Sequence, residues 1–140
     1  MKIFYEPVNL NQWDMFRDVS EGHVETVLAT SAMEIGDTII LHVGTQNREK
    51  ESGAYAVGRI VDGPYIRRNH PEEYCNNKLS VNIRIEKVSY TTPYITHEEF
   101  TKFHKMYRQY TKALPIQDNR SRTHSSGLFY LYEYNFRFFK

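Results

Sequence analysis

The sequence is poor in cysteine, in tryptophan and in long apolar runs. Its one cysteine, Cys75, cannot form an internal disulfide, which argues against a small disulfide-stapled secreted scaffold and fits a reducing compartment. No apolar run exceeds five residues, too few for a membrane-spanning helix or the core of a signal peptide. Low-complexity tracts and linkers are also missing. The sequence therefore predicts a single cytoplasmic domain over residues 1–140, without a membrane partner.

Aromatic residues and an uneven charge distribution are what the chain does have. There are 11 Tyr, 8 Phe and one Trp in 140 residues, and such rings favour half-buried sheet surfaces. Residues 1–100 carry 10 Lys/Arg against 15 Asp/Glu, whereas residues 101–140 carry 8 against 2. A basic C-terminal third on a chain of net charge +1 is typical of nucleic-acid binders, although the same charges would also solvate a helix face.

Hydrophobic patterning predicts more strand than helix. Pro7 is expected to stop the first strand, and Gly58 indicates a bulge or a close backbone approach in the fourth. Asp37 follows Gly36 in a turn that leads into the strongest strand. Strands are predicted at 2–5, 24–28, 37–43, 54–61, 79–85 and 130–139.

Two stretches have the spacing and caps of helices. Asn9 or Asn11 would cap a short helix with Trp13 on its apolar face, and Thr96 or His97 would open a longer one that Pro115 ends. About six strands and two or three helices, with strands dominating the middle, indicate an α+β fold built around a small barrel or curled sheet.

Two collinear segments resemble the EVE family. Residues 31–43 (SAMEIGDTIILHV) are similar to its Met-x-x-Gly-Asp segment with a following apolar run, and residues 54–61 (AYAVGRIV) to its next strand. Pro64-Tyr65, a further alternating strand, Thr92-Pro93 and a helix near His97 follow in the family's order, so the resemblance covers roughly residues 30–100. It implies a PUA-like pseudo-β-barrel, related to YTH and ASCH domains.

The resemblance also implies a function. Members of this superfamily characteristically bind DNA or RNA, and the YTH and EVE branches hold a flipped, often modified, base in an aromatic-lined pocket. The chain is therefore expected to be a non-catalytic module that binds nucleic acid or a free modified nucleotide, monomeric or weakly dimeric, with no cofactor and no metal. Flat apolar rings and hydrogen-bonding groups are what such a base requires.

Four candidate ligand-binding residues lie in the first half of the chain. Trp13, the sole indole, precedes Gly36 by more residues than the family's usual tryptophan, and its helical spacing makes a core role equally fitting. Tyr65 would supply a stacking surface. His42 ends the strand that faces the pocket in this superfamily, although a histidine in an apolar strand is more often a core residue. Ser31 precedes the Gly-Asp turn, where related domains place a ligand contact or a cap.

The remaining candidates form one polar segment at 119–127. Arg120 and Arg122 would contact phosphates or base edges, and this segment resembles the Arg-Ser segment that precedes the last strand of EVE domains. His124 would make the same contacts, and Ser125 or Ser126 would donate to a base carbonyl or ring nitrogen. A solvated loop of small polar residues is the alternative interpretation.

Two further classes of function remain open. An ASCH-like, metal-independent ribonuclease would use His124 or His104 as the general base and Arg122 to stabilise the developing charge. A protein-interaction module of a defence or toxin system would use the aromatic last strand as an edge. No zinc-ligand spacing, phosphate loop, nucleophile elbow or dinucleotide fingerprint is present in the sequence.

Overall fold

The structure, a computed structural model, describes residues 2–45 and 49–102, together with the backbone of two strands at 115–118 and 123–125. The helices are α1 (Met15–Asp18) and α2, which begins at His97 and is described over 97–102. The strands are β1 (Ile3–Val8), β2 (Val24–Leu28), β3 (Thr38–Val43), β4 (Gly53–Ile66), β5 (Leu79–Val88), β6 (Ile95–Thr96), β7 (Pro115–Asp118) and β8 (Thr123–Ser125).

The strands form one mixed sheet with the order β2-β5-β4-β3-β1-β7-β8, and β6 pairs with β4. β1 runs parallel to both β3 and β7, and the other pairs are antiparallel. The α+β class is therefore confirmed. Within the described part of the chain, β2 and β8 end the sheet order without pairing with each other, so the sheet is open rather than a closed barrel. In the described ranges the sheet holds six strands of four or more residues and two shorter ones, β6 and β8.

Apolar side chains cover both faces of the sheet. The larger core cluster takes residues from β1 to β5, among them Phe4, Val27, Leu41, Tyr55 and Ile83, all with no exposed surface. The smaller cluster lies on the other face, where Ile3, Ile40 and Ala54 contact Phe100 of α2. Because both faces are covered, all six residues of β3 are buried, including the polar Thr38 and His42.

Two N-terminal predictions are wrong. Pro7 does not stop β1, which continues to Val8; Pro7 lies beyond Phe4 and Tyr5, the residues paired with β7, so its missing N–H breaks no bond on that side. α1 has only four residues and begins after Asp14 rather than after Asn9 or Asn11. Trp13 consequently lies in the turn before the helix instead of on its apolar face.

The glycine positions agree with the sequence. A Cβ on Gly58 would lie 3.0 Å from the Arg84 carbonyl oxygen and 3.1 Å from a methyl group of Ile83, and the β4–β5 register shifts between Val57 and Gly58. Both the predicted bulge and the predicted close approach are therefore present. Gly36 has φ +95°, which suits the tight turn into β3.

The C-terminal predictions are only partly covered. Pro115, predicted to end the second helix, is the first residue of β7. Residues 123–125, predicted as part of a polar loop, form β8. The predicted aromatic strand at 130–139 lies outside the described residues. No helix in the described ranges is long and apolar enough to cross a membrane.

Candidate functional site

A cleft of about 320 Å³ opens between the turn that carries Trp13, the edge strand β2 and the 67–75 segment after β4. Pockets for small ligands typically begin at about this size. Its walls are aromatic on one side and charged on the other. The lining residues are Gln12, Trp13, Arg17, Asp18, Val24, Glu25, Thr26, Arg67, Glu72, Glu73, Tyr74 and Cys75.

Trp13 and Tyr74 form the aromatic wall. Their ring centroids are 5.9 Å apart with an interplanar angle of 23°, a stacked pair. Trp13 Nε1 donates a hydrogen bond of 2.9 Å to Asp18 Oδ2, which fixes the indole orientation. The same indole packs against the larger core cluster. Trp13 therefore both contacts the core and lines the cleft, whereas the sequence gives a core role and a ligand-binding role as alternatives.

The hydroxyl of Tyr74 is buried. Burial, together with the negative charge of Glu6, raises the pKa of Tyr74, so its hydroxyl stays protonated at neutral pH. Glu6 itself is only 2% exposed in β1. Nothing in the local sequence around Tyr74 distinguishes it from the other tyrosines, and sequence reasoning missed it for that reason.

Two ion pairs hold the charged wall in place. Arg67 donates two hydrogen bonds to Glu73, one from Nη2 to Oε1 at 2.9 Å and one from Nε to Oε2 at 3.2 Å. The pairing lowers the pKa of Glu73 and raises that of Arg67. Arg17 pairs with Asp18 at 2.8 Å and lowers the pKa of that carboxyl. Carboxylates with lowered pKa remain ionised at neutral pH and accept hydrogen bonds.

Tyr65 supports the cleft without lining it. Its hydroxyl accepts a hydrogen bond from Arg67 NH1 at 3.2 Å and donates one to Asn82 Oδ1 at 2.8 Å. Asn82 Oδ1 also accepts from Thr26 Oγ1 at 2.8 Å. Tyr65 therefore positions two of the lining residues, Arg67 directly and Thr26 through Asn82. Its role as a stacking surface stays a prediction.

The outer edge of β2 faces the cleft. The His23 carbonyl accepts from the Ile85 N–H and the Ala29 N–H donates to the Leu79 carbonyl, so odd-numbered residues of β2 direct their backbone groups to β5. By alternation, the backbone groups of Val24, Thr26 and Leu28 point to the opposite side. The Tyr74 hydroxyl lies beside the Leu28 backbone on that side. Thr26 and Val24 thus present amide and carbonyl groups to a ligand.

His42 lies on the other face of the sheet, under α2. It is 6% exposed, 5.1 Å from the ring of Phe100 between centroids, and its Nε2 lies 3.5 Å from His97 Nδ1. Burial, and then the charge of His97, lowers the pKa of His42 to about 4. His42 does not line the cleft. Its surroundings are those of a core histidine, which is the alternative that the sequence offered.

This burial predicts a dependence of stability on pH. The unfolded-state pKa of His42 is 6.5, so above that pH the residue is neutral in both states and costs nothing. Below it, only the unfolded chain gains the proton readily. The contribution of His42 to the free energy of unfolding should therefore fall by about 3 kcal/mol between pH 6.5 and 4 and level off below.

Urea denaturation over this pH range tests the effect. His42→Leu should flatten the dependence, whereas His23→Leu, which changes an exposed histidine, should leave it as in the wild type. Parallel curves for the two variants would show that His42 titrates normally.

Among the described residues, the other sequence-predicted candidates are not brought to the cleft. Ser31 is exposed in the turn before β3 and does not line it. His124 and Ser125 lie in β8, at the opposite end of the sheet order from β2. Arg120 and Arg122, like His104 of the alternative ribonuclease, lie outside the described residues.

A small group of potential metal ligands borders the cleft. One donor atom each from His70, Glu72 and Glu73 lies within 4.8 Å of the others, whereas the sequence predicts no metal site. Glu73 is already held by Arg67, and Glu72 is exposed. A cluster of this kind is common without an ion, and the prediction of no metal stays a prediction.

No family model, curated protein or solved structure matches this chain. The functional assignment therefore depends on the chemistry of the cleft.

Proposed function

We propose that this chain is a non-catalytic nucleic-acid-binding module that holds a nucleobase in the cleft between Trp13 and the edge of β2. The observation that carries the proposal is the stacked pair of Trp13 and Tyr74 on the wall of a 320 Å³ cleft. Stacking of a base on an aromatic side chain contributes about 1–3 kcal/mol, whatever the base.

The polar walls suit the edge of a base. Asp18 and Glu73 are fixed by their arginines and accept hydrogen bonds, as exocyclic amines and ring N–H groups require. The outward backbone groups of Thr26 add one donor and one acceptor. A base lying against Trp13 would meet these groups around its rim. Specific ligand pockets are typically lined by aromatic and apolar side chains, with a few fixed polar groups that orient the ligand.

The cleft itself does not suit phosphate, because its carboxylates outnumber its arginines. The sugar and phosphates would remain outside, near the exposed Arg17 and Arg68. The basic residues of 101–140 would add phosphate contacts to DNA or RNA. A flipped base fits this distribution of charge, because only the base leaves the stack to enter the acidic cleft and its phosphates stay outside near the basic residues.

The finer fold assignment belongs to the same proposal. We infer that the sheet curls as a PUA-like pseudo-barrel of the EVE type, in a monomeric cytoplasmic protein. Inward side chains of five strands, β1 to β5, meet in one core cluster, which a flat sheet would not allow. The collinear Gly36-Asp37, Gly58 and Pro64-Tyr65 motifs support the family assignment.

Titration with nucleosides and short single-stranded oligonucleotides tests the proposal. Trp13 is the sole tryptophan, so its fluorescence reports directly on the cleft. We expect saturable quenching by at least one nucleoside with little dependence on salt. Oligonucleotides carrying the same base should bind more tightly at low salt and weaken as salt rises, because their phosphate contacts release counterions. Absence of binding by every nucleoside and oligonucleotide at low salt would refute the proposal.

A further inference from the structure

The charges around the cleft do not balance. Two arginines, Arg17 and Arg67, face four carboxylates, and each arginine is already engaged by one of them, Asp18 and Glu73 respectively. Glu25 and Glu72 make up the surplus. His70 Nδ1 lies 3.9 Å from Glu72 Oε1 and neutralises that carboxylate only when the imidazole is protonated. A bound ligand would therefore enter a site with two more carboxylates than arginines, and opposite charges attract more strongly near a protein surface than in bulk water.

Glu25 is the better placed of the two surplus carboxylates. It lies in β2, half-buried, whereas Glu72 is exposed. Glu25 takes part in none of the ion pairs formed by the described residues. Burial, and then the negative charge of Asp18, raise the pKa of Glu25; the charge of His23 opposes this shift in part, and that of Glu73 adds to it. A cation beside Glu25 would remove this cost.

The aromatic wall favours the same sign of charge. The faces of indole and phenol rings carry negative electrostatic potential, and tryptophan attracts cations most strongly. Trp13 and Tyr74 therefore favour a flat cation over a flat neutral ring of the same shape. Surplus carboxylates and aromatic faces in one cleft favour a ligand that is both planar and positively charged.

We propose that the base held in this cleft is cationic, that is, a nucleobase methylated on a ring nitrogen so that its ring system carries a positive charge. The inference rests on the proposed function for the ligand being a base, and it specifies which bases are selected. Cytosine methylated at N3 and adenine methylated at N1 have this chemistry at neutral pH. Their isomers methylated at carbon 5 of cytosine or at the exocyclic amine of adenine are neutral.

These isomers give a matched test. Trp13 fluorescence would follow titration at neutral pH with 1-methyladenosine against N6-methyladenosine, and with 3-methylcytidine against 5-methylcytidine. Each pair carries the same number of methyl groups and differs in charge. We expect the cationic member to bind about 10-fold more tightly, since its positive charge is attracted both by the aromatic faces and by the surplus carboxylates.

The variant Glu25→Gln tests whether the Glu25 carboxylate causes the preference for the cationic isomers. It removes one charge and keeps the size of the side chain, so it should lower the affinity for the cationic isomers about 10-fold and leave the neutral isomers nearly unchanged. Glu98→Gln makes the same change in net charge at an exposed position of α2 and should have no effect on either.

Three results would overturn the inference, and they are distinguishable. Equal or tighter binding of the neutral isomers would refute the selection of a cation and leave the base-binding function standing. A preference that persists undiminished in Glu25→Gln would refute the role of this carboxylate. Failure of all nucleosides to bind would refute the proposed function together with the inference.

Discussion

Replacement of Trp13 by alanine should weaken nucleoside binding roughly 10- to 100-fold, the loss expected when one stacked ring worth about 1–3 kcal/mol is removed. The indole forms the cleft wall with Tyr74 and is oriented by Asp18. Alanine removes the stacking surface and leaves the Asp18 carboxylate without its indole donor. Both changes act on the ligand side of the cleft.

The experiment needs a readout that does not depend on tryptophan, so calorimetric titration is the suitable measurement. Because Trp13 also packs against the core, Tyr74→Leu serves as a second variant that keeps the indole. Tyr90→Ala is the control, since Tyr90 is an aromatic residue that is 45% exposed and lies outside the cleft. If Trp13→Ala and Tyr74→Leu both fold and both bind as the wild type does, the base is not held here.

Replacement of Asp37 by alanine should destabilise the fold by about 3 kcal/mol or more, since hydrogen bonds to charged groups contribute about 1.5–3 kcal/mol each. Asp37 is 3% exposed. Its two carboxylate oxygens accept from the backbone N–H groups of Lys2 and Glu34, both at 2.9 Å, and the Lys2 ammonium lies 3.3 Å away. The substitution removes all three interactions and leaves two N–H groups without their acceptor.

Urea denaturation followed by circular dichroism measures this loss. Asp37→Asn keeps one acceptor oxygen and should fall between the wild type and Asp37→Ala. Asp62→Ala, at an exposed position of β4, should change the free energy of unfolding by no more than about 0.5 kcal/mol. A similarly small change for Asp37→Ala would mean that the turn into β3 does not depend on its carboxylate.

The strands could be predicted from the sequence because their signals are local. Residues 37–43 and 79–85 carry buried or alternating apolar patterns, and both form strands. The bulge at Gly58 could also be predicted, because a glycine inside a strand is a local signal. The prediction that Pro7 stops the first strand is wrong because the cost of a proline in a strand depends on which neighbouring strand pairs with it. That pairing is a property of the whole sheet and not of the local sequence.

The cleft could be predicted only in part. Trp13 stood out as the sole indole, whereas Tyr74, Glu25 and Arg67 lie 12 to 61 residues from it along the chain and meet it only through folding. The sequence predicts a role for the ring of Tyr65, whereas the structure shows its hydroxyl in contact with Arg67 and Asn82. Sequence patterns mark which side chains have the right chemistry, but distances between segments depend on the tertiary fold.

The parallel pairing of β1 has a consequence for how the chain folds. β1 lies between β3 and β7, and Phe4 is in register with Gln117, so residues more than a hundred positions apart meet in the middle of the sheet. Contacts of such sequence separation carry a large loop-closure cost and slow folding. During synthesis, β1 must wait until β3 and then β7 have emerged before either of its edges is paired. The antiparallel unit β3-β4-β5, joined through neighbouring segments, is the part that can assemble first.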